Sequence, residues 1–231
     1  MPGTLYLVPN LLGVVDPARV LPAYTLEVAR RLTHWAVETP KSARAFLKTA
    51  GVAIPIASLD IQALDAGNTA ALLAPARDGG DVGLLSDAGC PGVADPGAAL
   101  VAEAHASGVR VVPLVGPSAI LLALMAAGMN GQRFAFHGYL PVKPAARAQA
   151  LQRLEQASRA HDCTQLFIET PYRNAAMLQT LAEALQPNTA VCIAADLTLP
   201  TETIERHPAR AWRAQDHARF DKRPAIFLLE A

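Results

Sequence analysis

Through the first half of the chain, short runs rich in Leu, Val and Ile alternate with helical patterns, and that alternation leaves few folds open. Residues 4–8, 34–38, 82–86 and 109–115 read as strands. Residues 22–32, 41–50, 65–73, 96–107 and 118–127 read as helices, three of them stopped by Gly51, Gly108 and Gly128. Parallel strands need a long crossover, and a helix supplies it. The order therefore predicts an α/β fold with a mostly parallel N-terminal sheet and helices on both faces.

The second half changes texture. Strand patterns at 134–138, 165–169, 190–195, 201–205 and 225–230 surround helices at 145–159 and 172–185. The last strands lack long helices between them, which predicts a C-terminal α/β domain with a mixed sheet. The expected domains are 1–120 and 121–231, and a cleft between two domains is a favoured small-molecule site. A hydrophobic content of 52% is ample for such cores.

Composition excludes some classes. A net charge of +0 over 231 residues argues against a strong electrostatic nucleic-acid binder, although a local basic patch is compatible with it. Cys90, Cys163 and Cys192 are odd in number and form no C-x-x-C pair, so neither a zinc site nor a disulfide framework is expected. A reducing cytoplasm fits. The start of the chain has no charged region of a signal peptide. The longest apolar run, 119–129, is shorter than the roughly 20 residues that span a bilayer. Neither a membrane nor a metal is expected.

Two loops stand out. Residues 84–97 read LLSDAGCPGVADPG, a strand end, five glycines or prolines, then a helix. Ligands in open α/β sheets bind at the carboxyl ends of strands. Gly89 and Gly92 let backbone approach a ligand, and Asp87 sits at the strand end. Asp95 before Pro96 reads as an N-cap and N1 pair. Cys90 has no base partner in view, which argues against a nucleophile. The spacing is neither a P-loop nor G-x-G-x-x-G. The second loop, residues 115–119, repeats the design as VGPSA. Ser118 there reads either as an ordinary helix cap or as a ligand contact at a helix N-terminus.

These loops, with FAFHGYLP, LFIETPYR and the closing RPAIFLLE, resemble the tetrapyrrole-methylase-like, or class III, S-adenosylmethionine-dependent methyltransferases. The likeness covers nearly the whole chain and is closest to the branch that methylates a ribose 2′-oxygen of small-subunit ribosomal RNA. It implies two α/β domains with an S-adenosylmethionine cleft between them, a homodimer, and no metal. By that resemblance Asp87, Ala88, Gly89, Cys90 and Val93 line the donor pocket, and Ser118 and Ala119 approach it. Ile168, Ala194 or Ala195, and Pro224 with Ala225 surround the adenosine, and core packing is the other reading of these apolar positions. Pro9 and Asn10 face the methyl group.

Two segments depart from the RNA-modifying pattern. Residues 8–15 read VPNLLGVV where that branch carries P-I-G-N-L-x-D-I, and residues 38–44 read ETPKSAR where it carries D-T-R-x-[ST]. The resemblance implies that both help form the acceptor side. The acceptor therefore stays open between ribosomal RNA and a tetrapyrrole or other small molecule, with a non-catalytic S-adenosylmethionine-binding or RNA-binding module as the third reading. Glu38, Lys41, Arg44, Glu169, Tyr172 and Arg173 are the polar candidates near the acceptor, and none is singled out as catalytic. A solvated turn for Glu169 and a solvated helix face for Lys41, Arg44 and Arg173 are the alternative readings. His137 reads as a satisfied core histidine.

Overall fold

The apolar run Thr4–Val8 forms β1, which sits between two other strands and so pairs on both edges. The computed structural model describes residues 2–65 and 67–231. It divides into two compact units, one ending at Ser118 and one starting at Ala119.

In the first unit the order is β1, α1 (Ala23–Arg31), β2 (His34–Val37), α2 (Pro40–Ala50), β3 (Asp60–Ala63), α3 (Thr69–Leu72), α4 (Ala74–Arg77), β4 (Val82–Leu85), α5 (Ala98–Ala106) and β5 (Arg110–Pro113). All pairings are parallel, in the order β3-β2-β4-β1-β5. Period-2 alternation splits the strands between two cores. Val8, Trp35, Val37 and Leu85 join Leu26, Val28, Phe46 and Leu47 of α1 and α2. Leu5, Ala36, Val82 and Leu84 join Leu72, Leu73, Leu100 and Ala104 on the other face. Each helix covers a face that a parallel sheet cannot leave to water.

Two local expectations change here. The helix expected over 65–73 starts at Thr69 and breaks into α3 and α4, because Pro75 cannot continue the ladder of a preceding helix. Ala66, within that expected span, lies outside the described residues. Residues 60–63, DIQA, form an edge strand that has no apolar run to announce it. Pairing with β2 holds it, in the register His34↔Asp60 to Val37↔Ala63.

The second unit runs α6 (Ala119–Ala127), β6 (Phe134–Tyr139), α7 (Pro144–His161), β7 (Thr164–Ile168), α8 (Asn174–Ala184), β8 (Ala190–Ala195), β9 (Thr203–Pro208), α9 (Ala209–Trp212) and β10 (Ala225–Glu230). The sheet order is β6-β7-β10-β8-β9. Only β6–β7 is parallel, so the sheet is mixed. Its core stacks Phe167 on Phe227 at 5.7 Å and holds Trp212, Phe220, Leu178 and Leu181. The helix expected from residue 172 begins at Asn174, after a 3-10 turn at Pro171–Arg173. His137 is exposed and so is not the core histidine expected, although its Nε2 lies 2.7 Å from Gln165 Oε1.

Candidate functional site

In the first unit the site begins where β1 ends. Asn10 is buried, and its amide donates to the carbonyls of Ser86 at 2.9 Å and Asp87 at 3.0 Å. Its Oδ1 accepts from Leu11 N at 2.7 Å, and its own backbone N donates to Gly89 O at 2.8 Å. One side chain thus joins the β1 loop to the β4 loop. Gly89 has φ +66, and a Cβ there would lie 3.4 Å from Leu12 Cδ2, so the turn needs a residue that tolerates the left-handed region. Gly92, Ala94 and Gly97 also have positive φ. For Ala94 that conformation costs of order 1–3 kcal/mol, and such strain collects at functional sites.

The neighbouring loops tie into this turn. Asp87 Oδ2 accepts from the Thr39 hydroxyl at 2.8 Å, and Asp87 N donates to Glu38 Oε2 at 2.9 Å. Ala88 and Val93 are exposed. Cys90 Sγ lies 3.5 Å from Pro117 O. Burial first, then the charge of Asp95, pushes its thiol up, which makes it a poor nucleophile at neutral pH. Pro9 is buried against Gly116, and Val115 O accepts from the Thr25 hydroxyl at 2.8 Å. Pro9, Asp87, Gly89, Cys90 and the 115–118 loop are therefore brought together within this unit.

Asp95 is a correction. It does not cap α5, whose N-cap is Gly97 at φ +136, with no side-chain cap. Gly97 packs so tightly on Leu84 that a Cβ would fall 2.8 Å from Leu84 Cδ2, and helical geometry starts only beyond it. Asp95 is left half-buried, with no hydrogen bond to its carboxylate among the described residues. Burial first, then the charges of Glu38 and Asp87, pushes its carboxyl up to about 6.

In the second unit the residues expected around the adenosine lie at one end of the sheet. Ile168 pairs with Ile226, which pairs with Ala194; Ala225 pairs with Ala195; and Asp196 N donates to Pro224 O at 2.9 Å. Ala194, Ala195 and Ala225 are buried, Ile168 is half-buried and Pro224 is exposed. Polar groups crowd that end: Glu169 and Arg173 are among the sequence candidates, whereas Asp196, Thr201 and Arg223 are not. Asp196 Oδ2 accepts from Arg223 Nε at 2.7 Å and the Thr201 hydroxyl at 2.9 Å. Glu169 Oε1 accepts from Thr170 N at 2.7 Å and from the Arg173 guanidinium. Asp196, Thr198 and Lys222 all have positive φ.

Glu169 Oε2, Arg173 Nε, Asn174 Oδ1 and Thr198 Oγ1 are buried without a partner. They are four of five such side-chain atoms among the described residues; the fifth is Ser86 Oγ, at the end of β4. Unpartnered buried polar atoms are few in a native protein and ask for an explanation. Here all five follow strand ends beside the two sets of sequence candidates, which suits a polar ligand. Tyr172, Lys41 and Arg44 stand exposed. Among the described residues no three His, Cys, Asp or Glu side chains gather as a metal site, and no helix is long and apolar enough to cross a membrane.

Comparison with known proteins gives a consistent result. Residues 20–211 match the sequence profile described as Tetrapyrrole (Corrin/Porphyrin) Methylases. A Pseudomonas aeruginosa protein named ribosomal RNA small subunit methyltransferase I is 32% identical over 217 residues, which is 93% of this chain and 74% of that protein. The protein of that name from Escherichia coli O157:H7 is 34% identical over 221 residues, with coverages of 94% and 74%. The crystal structure of the methyltransferase CobJ has a TM-score of 0.64 at 21% identity and covers 98% of this chain and 93% of its own. That of uroporphyrin-III-C-methyltransferase from Thermus thermophilus has a TM-score of 0.59 at 18% identity, with coverages of 99% and 94%.

Proposed function

This chain belongs to the tetrapyrrole (corrin/porphyrin) methylase family and is a methyltransferase, and on that premise we propose that it methylates small-subunit ribosomal RNA, at a ribose 2′-oxygen, with S-adenosylmethionine as donor. The observation that carries the donor is the gathering of unpartnered buried polar atoms and left-handed backbone at the strand ends. Relatives at 32% and 34% identity over nearly the whole chain carry the acceptor, by their name. The tetrapyrrole reading rests on structural neighbours at 21% and 18% identity, a likeness of fold alone.

The donor supplies an electrophilic methyl group on a sulfonium, which leaves as a thioether. In the first unit Asp87 has one carboxylate oxygen held by Thr39, which leaves the other for an ammonium. The backbone at Ala88 and Gly89 lies against the donor, with Pro9, Cys90 and Val93 beside it. The N-terminal turn of α6, at Ser118 and Ala119, suits the carboxylate. In the second unit Ile168, Ala194, Ala195, Pro224 and Ala225 flank the adenosine. Lys41 and Arg44, exposed on α2 with no ion pair among the described residues, are free to meet phosphates. This local charge answers the neutral total.

Incubation of the purified protein with S-adenosylmethionine labelled in its methyl group and small-subunit RNA is expected to label a ribose 2′-oxygen, read by nuclease digestion. Donor binding in a calorimeter with no label in RNA would point to a small-molecule acceptor. No binding at millimolar donor would remove the proposal.

We also assign a homodimer working in the cytoplasm, where its RNA is. Leu121 and Met125, one turn apart on α6, are 51% and 79% exposed, an apolar strip suited to a second copy. Sedimentation is expected to show a dimer at micromolar concentration; a monomer there would contradict it.

A further inference from the structure

The base that takes the acceptor's proton is so far unassigned, and the β2 and β4 ends contain a candidate. Val37 pairs with Leu85, and Glu38 N donates to Leu85 O at 3.1 Å, so the ladder continues one residue past each strand. Ala36 and Leu84 share one face of the sheet. Alternation puts Glu38 and Ser86 on that same face. Gly97 lies against Leu84 on this face, and Asp95, two residues before it, is half-buried within reach of the charges of Glu38 and Asp87. Ser86 is 2% exposed, yet its hydroxyl has no partner. Asp95 has none either, and Glu38, Asp87 and Cys90 are the titratable groups that face it. A half-buried carboxylate close to two other acidic groups, with nothing among the described residues donating to it, is ill placed as structure. It is well placed to receive a proton.

Resting on the proposed methylation of a hydroxyl, we propose that Asp95 is the catalytic base and that the Ser86 hydroxyl is the buried donor that orients the acceptor beside it. Asp95 takes the proton as the O–H bond breaks and the oxygen bonds to the methyl carbon. The carbon–sulfur bond of the donor breaks with its electron pair on sulfur, giving a neutral thioether. Protonated Asp95 then returns its proton to solvent. Burial and the charges of Glu38 and Asp87 hold the carboxyl near 6, where a base is ionised at neutral pH and still binds a proton well.

The test is Asp95→Asn beside Asp95→Glu. In Asp95→Asn kcat is expected to fall about 10²–10⁴-fold, while calorimetry shows donor affinity within about twofold of wild type. The wild-type kcat profile should fall on the acid side with a midpoint near pH 6, and Asp95→Glu should restore part of the rate. Without any substrate, wild type should lose stability relative to Asp95→Asn as the pH rises from the ordinary carboxylate range through 6. A folded carboxyl raised above its unfolded value binds its proton more tightly when native, so its stabilising effect is fully present at low pH and lost on ionisation. An Asp95→Asn enzyme with wild-type rate and acid limb would overturn the assignment while leaving methyl transfer intact. So would label on a nitrogen or carbon atom, or a large loss of donor affinity in Asp95→Asn, which would make the residue a donor ligand. No transfer at all by wild type would overturn both readings.

Discussion

Gly116→Ala is expected to lower methyl transfer about 10²-fold, the cost of misplacing a reacting geometry by about 1 Å. The added Cβ would fall 2.4 Å from Pro9 Cβ, 2.7 Å from Pro9 Cγ and 3.0 Å from Leu21 Cδ2. Comfortable carbon contacts are about 3.5–4.0 Å. A proline ring cannot swing aside like the end of a long side chain, so the 115–118 loop or the end of β1 must move. Both belong to the proposed donor site. Overpacking of this kind also costs about 1–3 kcal/mol. Gly131→Ala is the control, because a Cβ there meets nothing within 4 Å, and it should behave as wild type. The comparison needs steady-state rates and melting curves of both variants. A Gly116→Ala enzyme of normal rate would show that the two loops do not share a site.

Trp212→Ala is expected to destabilise the protein by about 3–5 kcal/mol, the usual range for a buried tryptophan. Trp212 is fully buried, and its ring meets His207 at 5.2 Å and Phe220 at 6.1 Å, both edge-on. Its Nε1 donates to Val191 O at 3.3 Å, so truncation leaves a cavity and removes this hydrogen bond. Trp212→Phe should recover most of the loss, since it keeps the ring and forfeits only the hydrogen bond. Urea unfolding of the three proteins would measure it, and a loss below about 1 kcal/mol would mean the site collapses around the smaller side chain.

The strands buried on both faces were plain in the sequence because a run such as VGLL or AVCIAA has only one comfortable environment. The edge strand 60–63 was not, because DIQA has no apolar pattern and its structure comes from the neighbour it pairs with. Trp212 and Phe220, which close the second core, lie in a stretch read only as a short connection between strands. Two isolated aromatics carry no period. The candidate site was legible where backbone conformation matters, since Gly89 needs its positive φ. It was not legible where side chains meet across long separations, as in Asn10 with Ser86 and Asp87, or Asp196 with Arg223. Asp95 shows the limit of local chemistry. An aspartate before a proline fits a cap by type, but the packing of Gly97 on Leu84 fixed where the helix starts.

Asn10 separates what must stay from what is free to change. Both amide hydrogens and the carbonyl oxygen are engaged within the turn, so the hold of Asn10 on the β4 loop does not draw on residues 13–15. Val14, in that onward stretch, is 99% exposed. The stretch is also where this chain departs from the RNA-modifying pattern. On the proposed function, evolution can therefore rewrite the acceptor-facing residues one at a time without unmaking the proposed pocket for the shared reagent. A lineage built this way changes its customers while keeping its supplier.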